Sequence, residues 1–172
     1  MVLARDVTVG LVAPSYPPGS PVVFAETRVP AATLALPAVD FPFYPGIRMA
    51  WPAADSVERF ARDFRPDLVH ADTEFVVGRL GARAARRLGI PRVTSFHTDF
   101  AQYTASYGLP WLRGTVTRSL RRFHSRAARI FTPSSVTARW LAAQGLQHIE
   151  VWGRAVDTEL FHPRHRSDDW RR

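Results

Sequence analysis

The chain has 172 residues, 46% hydrophobic and 12% aromatic, enough for one domain with a real core. Cysteine is absent, which excludes disulfides, thiolate nucleophiles and cysteine-held zinc or iron–sulfur centres, and lysine is absent too, which excludes a Schiff base and the lysine of a phosphate-binding P-loop. The net charge of +8 admits an anionic partner, nucleic acid or membrane, and equally a solvated arginine surface.

The N-terminus carries one arginine before a short apolar stretch and no small-residue cleavage pattern, and no apolar run approaches the roughly 20 residues that span a bilayer. A cytoplasmic, globular domain is the expectation. "DVTVGLVAP" reads as a strand. The proline-rich stretch that follows, to about residue 52, reads as short extended pieces with a strand or hairpin and a loop. "ADSVERFARDF" then predicts a short helix, with Pro52 or Asp55 near its start and Val57, Phe60, Ala61 and Phe64 on one face.

From residue 66 a unit recurs. "PDLVHADT" is a strand, "EFVVGRLGARAARRLG" a helix with Val77, Leu80, Ala84 and Leu88 on one face and Gly89 as its stop, and "IPRVTSF" a second strand. "ARIFTPSS" opens the next unit, with Ser134 or Ser135 offered as N-cap to the helix "VTARWLAAQG", which Gly145 ends before the strand "HIEVW". Strands alternating with helices over short connections predict an α/β fold, a Rossmann-like parallel sheet flanked by helices. Residues 1–152 form the domain in this reading, and the polar stretch 153–172 a linker or tail.

In a parallel sheet ligands gather beyond the carboxyl ends of the strands, where loops splay and helix N-termini present free N–H groups. Three such ends are legible, "HADTE", "HTDF" and "TPSS", and all three should open on one edge. His97 and Asp99 therefore stand where a strand hands over to a crossover. The histidine there either bonds a neighbouring loop carbonyl or meets a ligand hydroxyl. Metal binding is the weaker alternative, because His97 and Asp99 are only two donors and His162 and His165 lie in the tail. Asp72, Glu74 and Asp99 raise a carboxylate pair for glycoside chemistry, but Glu74 reads first as a cap at the start of its helix. No G-x-G-x-x-G motif supports a nicotinamide or flavin enzyme.

The segment 110–129 predicts a helix opened by Pro110. Leu112, Val116, Leu120, Phe123 and Ala127 share its apolar face, and Arg118, Arg121, Arg122, Arg126 and Arg129 form a basic strip. Trp111 beside that strip fits two readings, a solvated helix or attachment to anionic lipid headgroups, with Trp111, Arg118, Arg121, Arg122 and Arg126 as the membrane contacts. A non-catalytic module that docks on a membrane or acidic partner through this helix is the alternative to an enzyme. A nucleic-acid binder rests on charge alone, without basic and aromatic residues interleaved on a sheet face.

Taken together, "RPDLVHADTEFVVGRLGARAARRLGIPRVTSFHTDFAQYTASYG", "FHSRAARIFTPSSVTARWLAAQG" and "VWGRAVDTELFHP" resemble the N-terminal half of family-four glycosyltransferases of the GT-B fold, of the GDP-mannose-dependent mannosyltransferase or sulfoquinovosyl-diacylglycerol synthase type. The resemblance implies retaining transfer of a sugar from a nucleotide donor, GDP-mannose or a UDP-sugar, to a hydroxyl of a lipid or glycan. It places the reaction in a cleft between two Rossmann-like domains, with no tightly bound cofactor and no metal required. By that likeness His97 lies beside the transferred sugar, Thr98 and Asp99 line the acceptor side, and Ser134 and Ser135 sit on a loop facing the cleft. Arg154 and Asp157 match the segment leading to the second domain. The basic helix fits enzymes that glycosylate lipids, which adds a peripheral position on the inner face of the plasma membrane.

Three departures accompany the likeness. The family's first strand and glycine-rich loop would precede "DVTVGLVAP", the donor-binding C-terminal domain would follow Arg172, and Ala155 stands where the family usually has glycine. The expectation is a truncated or split transferase with little activity alone, its second domain supplied by another chain.

Overall fold

The computed structural model describes residues 7–17, 30–41, 46–101, 104, 108–153 and 157–167. The first strand, β1 (Gly10–Pro14), lies parallel to β2 (Ala32–Leu36), with Gly10 opposite Ala32 and Pro14 opposite Leu36. The expected hairpin is the next pair, β3 (Ala38–Asp40) antiparallel to β4 (Arg48–Ala50). Pro37 separates β2 from β3, since proline has no N–H to give a ladder, while its carbonyl accepts the Trp51 N–H at 2.7 Å.

Helix α1 (Ala54–Phe64) follows, with Asp55 in its first turn and Val57 and Ala61 buried, as the periodicity predicts. After it come β5 (Val69–Ala71), α2 (Val76–Leu88), β6 (Arg92–Ser95), a single 3-10 turn Pro110–Leu112, α3 (Arg113–His124), β7 (Arg129–Thr132), α4 (Ser135–Ala143) and β8 (Ile149–Val151). Strands β5 to β8 form one parallel sheet in sequence order, so each strand-helix-strand unit lays its second strand beside its first. The expected α/β, Rossmann-like architecture is what the chain adopts.

Three apolar clusters among the described residues hold it. Leu36, Ala50, Val57, Ala61 and Ala84 are buried between the first strands and helices α1 and α2. Phe96, Leu120, Ile130, Leu141 and Leu146 are buried where α3 and α4 cover the four-stranded sheet. Helix α2 belongs to two of them, because Ala84 is part of the first cluster and Ala82 packs with Ala71 and Phe123 in the third. Its small residues let it approach closely. A Cβ on Gly78 would stand 1.6 Å from the Thr73 carbonyl oxygen, so only glycine fits there. Arg92 ties the same layer together, donating to the carbonyls of Ala82 and Phe123 at 3.2 Å each.

The basic helix is shorter than its sequence suggests. It ends at His124, so Arg126 falls in the following turn, and Arg129 belongs to β7, where it pairs with Glu150 at 2.7 Å. Of the expected apolar face, Leu120 and Phe123 are buried on the helix, and Ala127 is buried in the segment beyond its end. The chain turns at His124 because that side chain is itself fully buried, its Nδ1 2.9 Å from the Thr94 hydroxyl of β6. Among the described residues no helix is long and apolar enough to cross a membrane.

Candidate functional site

Parallel pairing of β5, β6 and β7 brings the ends after Ala71, Ser95 and Thr132 to one edge of the sheet, the edge on which the three legible strand ends were expected. Loops leaving neighbouring ends meet there. The loop after β5 carries Asp72 and Glu74, and the loop after β6 carries His97, Thr98 and Asp99. Two contacts join them. His97 Nε2 donates to Asp72 Oδ1 at 2.9 Å, and the Phe75 and Phe100 rings meet edge to face at 4.6 Å between centroids.

The His97–Asp72 bond gives His97 a partner that neither of its two sequence readings named. The ring bonds a carboxylate instead of a loop carbonyl, and its side chain stays 38% exposed. A carboxylate can only accept, so Nε2 carries the hydrogen and the neutral ring presents Nδ1 as an acceptor. His70 lies behind this pair, its Nε2 2.7 Å from the Ser95 hydroxyl and 3.9 Å from Asp72. Burial lowers the His70 pKa below the usual histidine value, and the Asp72 charge only partly offsets this. His70 also stacks on Trp152 at 6.0 Å, which links the rim to the end of β8.

Glu74 differs from its sequence reading. Helix α2 has Phe75 as its N-cap, with no side-chain cap bond, and Glu74 precedes it as a buried residue. One oxygen, Oε1, has no partner among the described residues. Burial raises its pKa to about 7, with its own backbone N–H, Arg79 and His97 pulling the other way. The cap reading fails because the loop turns the side chain inward under the rim.

Three predicted residues are committed to local structure. Ser134 caps α4, its hydroxyl accepting the Thr137 N–H at 3.2 Å, which was one of the two expected N-caps. Asp157 Oδ1 accepts the N–H groups of Glu159 and Leu160 at 3.0 and 2.9 Å, closing an exposed turn. Asp99 Oδ1 accepts the Ala101 N–H at 3.0 Å. Ser135 is exposed in the first turn of α4, and Arg154 lies outside the described residues. His97, Thr98 and Asp99 thus share one loop at the end of β6, and Ser134 and Ser135 follow the neighbouring β7.

Of the predicted membrane contacts, Arg118, Arg121 and Arg122 lie on α3, while Trp111 precedes it and Arg126 follows it. Trp111 is 74% exposed in the 3-10 turn ahead of α3. Arg118, Arg121 and Arg122 are all exposed, and the first two line a cavity of about 420 Å³ together with Arg113, Asp99, Trp140 and Gln144. Among the described residues no three histidines or carboxylates converge on a common point as metal ligands would.

Sequence reasoning missed the partner of His97. The available signal was a repeated His-x-Asp, His70–Asp72 and His97–Asp99, at the ends of consecutive parallel strands. Neighbouring ends with the same tripeptide invite a cross-loop histidine-carboxylate bond.

Comparison with known proteins adds the following. The family model described as Glycosyltransferase Family 4 matches residues 2–160. A GDP-mannose-dependent alpha-mannosyltransferase of Mycobacterium tuberculosis is 38% identical over 114 residues, 66% of this chain and 30% of that protein. Its namesake in Mycolicibacterium smegmatis is 39% identical over 111 residues, 64% of this chain and 30% of the relative. Sulfoquinovosyl transferase SQD2 of Arabidopsis thaliana is 28% identical across 76% of this chain and 26% of its own length. The matched region thus spans less than a third of each of these relatives.

Proposed function

Because the chain belongs to glycosyltransferase family 4, we propose that it provides the acceptor-side half of a retaining hexosyl transfer, from a nucleotide sugar such as GDP-mannose to a hydroxyl of a lipid or glycan. The observation that carries this reading is the His97–Asp72 bond at the shared edge of three parallel strand ends, next to an open cavity.

In this reading Asp72 holds the His97 ring in one orientation and one tautomer, as second-layer carboxylates do for functional histidines. Nδ1 then accepts from a hydroxyl of the transferred sugar. Thr98 and Asp99 line the acceptor side, and the α4 N-terminus with Ser134 and Ser135 faces the cleft. Arg154 and Asp157 lead toward the donor-binding half. Such positioning contributes through geometry, since holding two reactants in contact removes much of the entropic barrier to their meeting.

Donor phosphates need cationic or N–H-rich cradles, which the family reading assigns to the other half of the enzyme. The chain spans about 30% of the mannosyltransferases it matches, so turnover is proposed for the two halves together.

The test is sugar transfer by a protein joining this domain to a donor-binding domain. His97→Ala is expected to lower kcat by about 10²-fold or more with unchanged unfolding, the size of a lost positioning contact. Asp72→Asn keeps the shape, loses the charge and is expected to cost about tenfold in kcat, because the amide no longer fixes the ring's tautomer. Unchanged turnover in both would leave His97 as ordinary loop structure and end the proposal.

A further inference from the structure

The cavity between α3 and α4 has a composition that the transferase reading does not use. Arg118 and Arg121 stand three residues apart on α3, and Arg113 opens the same helix, so three guanidinium groups line a space of about 420 Å³, a common size for a small-molecule site. Among the described residues none of the three has an ion pair or a side-chain hydrogen bond. Elsewhere, Arg62 and Arg87 pair with Glu58, Arg129 with Glu150 and Arg164 with Glu159. Like charges held together on one helix face repel, and the repulsion is relieved when an anion enters.

The other walls differ in kind. Trp140 supplies an apolar face and Gln144 an amide, both from the α4 side. Asp99, the sole carboxylate among the described lining residues, comes from the loop that also carries His97. A ligand with phosphate among the arginines would lay its carbon skeleton along Trp140 and bring its hydroxyls to Asp99, which repels phosphate and accepts from hydroxyl. The cavity and the strand-end rim thus share a wall.

We propose that this cavity receives a phosphate group carried by the acceptor, and that Arg113, Arg118 and Arg121 select a phosphorylated acceptor over a neutral one. The proposal rests on the acceptor-side reading given above and adds the chemical class of the acceptor. Guanidinium groups suit phosphate because their planar forks donate two parallel bonds, and such charge-assisted bonds are the strong ones.

Calorimetric titration of the chain with glycerol 3-phosphate, with glycerol as the neutral control, tests it. Glycerol 3-phosphate is expected to bind and glycerol not. Arg118→Gln and Arg121→Gln should each raise Kd about tenfold, as loss of one hydrogen bond to a charged group does, while Arg83→Gln, an exposed arginine of α2, should leave it unchanged. Co-sedimentation with phosphatidylcholine vesicles doped with phosphatidate distinguishes the source of the phosphate. Arginine-dependent binding to the vesicles in preference to the soluble ester supports a lipid headgroup, and the reverse supports a free phosphorylated sugar or polyol.

Equal weakening by Arg83→Gln, or no difference between wild type and the two cavity variants with either ligand, overturns the proposal. So does GDP binding with that arginine dependence while glycerol 3-phosphate does not bind, which would assign the cavity to the donor. None of these measurements needs turnover. Arginine-dependent phosphate binding without sugar transfer in the joined protein would sink the transferase reading and leave the cavity standing. Transfer to a phosphorylated acceptor with KM unchanged in Arg118→Gln would do the opposite.

Discussion

His124 and Glu74 are buried ionisable side chains with opposite pH linkage. The His124 ring is fully buried with no partner for Nε2 among the described residues, and burial, with Arg79 and Arg92 nearby, lowers its pKa to about 4. Below the ordinary value of 6.5 the unfolded chain takes up a proton that the folded one refuses, so stability falls as pH drops from 6.5 toward 4. Glu74 runs the other way. Its carboxyl keeps a proton to about 7 when folded against 4.5 ordinarily, so its contribution is complete below 4.5 and is lost as pH rises through 7. Each difference corresponds to about 3 kcal/mol. Between 4.5 and 6.5 their two slopes oppose each other, so the pair adds little net pH dependence, and His70, lowered in the same direction as His124, leaves a residual loss toward acid. Glu74→Gln is expected to uncover the acid loss due to His124, and His124→Asn the loss toward neutrality due to Glu74. Urea unfolding across that interval reads both, and parallel profiles for all three proteins would refute the assignment. Neither residue could be placed from sequence. His124 sits in a basic run that reads as solvated, and its partner Thr94 is 30 residues away, so only packing of α3 on β6 reveals the pair.

At the scale of elements, α2 carries the tightest constraint in the fold. Gly78→Ala would drive a methyl into the Thr73 carbonyl, and because the obstacle is backbone, relief requires moving the rim loop that holds Asp72 and Glu74. A loss of about 2–4 kcal/mol is expected, by overpacking. Gly81→Ala, three residues on, meets only a Val69 methyl at 3.6 Å, an ordinary contact, and should stabilise by about 0.5–1 kcal/mol through helix propensity. Thermal unfolding of the two variants should shift in opposite directions. A Gly78→Ala protein as stable as wild type would show that the rim is free to move. The helix itself was legible from Val77, Leu80, Ala84 and Leu88 with Gly89 as its stop, and Gly89 does close it with φ of 68°. Which of its two glycines is irreplaceable was not, because the same letter serves a close backbone approach at one position and nothing special at the other. Helix α3 repeats the lesson. Its apolar face was read correctly, but its end was not, since Arg126 and Arg129 continue the basic pattern after the chain has turned into β7.

For the whole molecule, the Leu36 cluster and the small Ala71–Ala82–Phe123 cluster share helix α2, and that sharing sets cooperativity between them. Ala84 of α2 packs toward Leu36 and Val57, and Ala82 toward Ala71 and Phe123, so neither cluster can open without exposing a face of the same helix. Unfolding followed by far-ultraviolet circular dichroism and by tryptophan fluorescence should therefore give coincident transitions. Leu36→Ala should shift both curves together at a cost of about 2–5 kcal/mol. Separated transitions would mean that the clusters are independent units.

Alternation of strand and helix, and with it the parallel sheet, was determined by the sequence alone, because periods of about two and 3.6 residues and glycine stops are local properties of the chain. The strand-end position of His97 was legible for the same reason. What only the tertiary structure decided is which side chains come together at that edge: Asp72 with His97, 25 residues apart, the burial of Glu74, and the gathering of Arg118, Arg121, Asp99 and Trp140 around one cavity. These contacts depend on how neighbouring units stack, a sum of many weak packing choices that no short window of sequence contains.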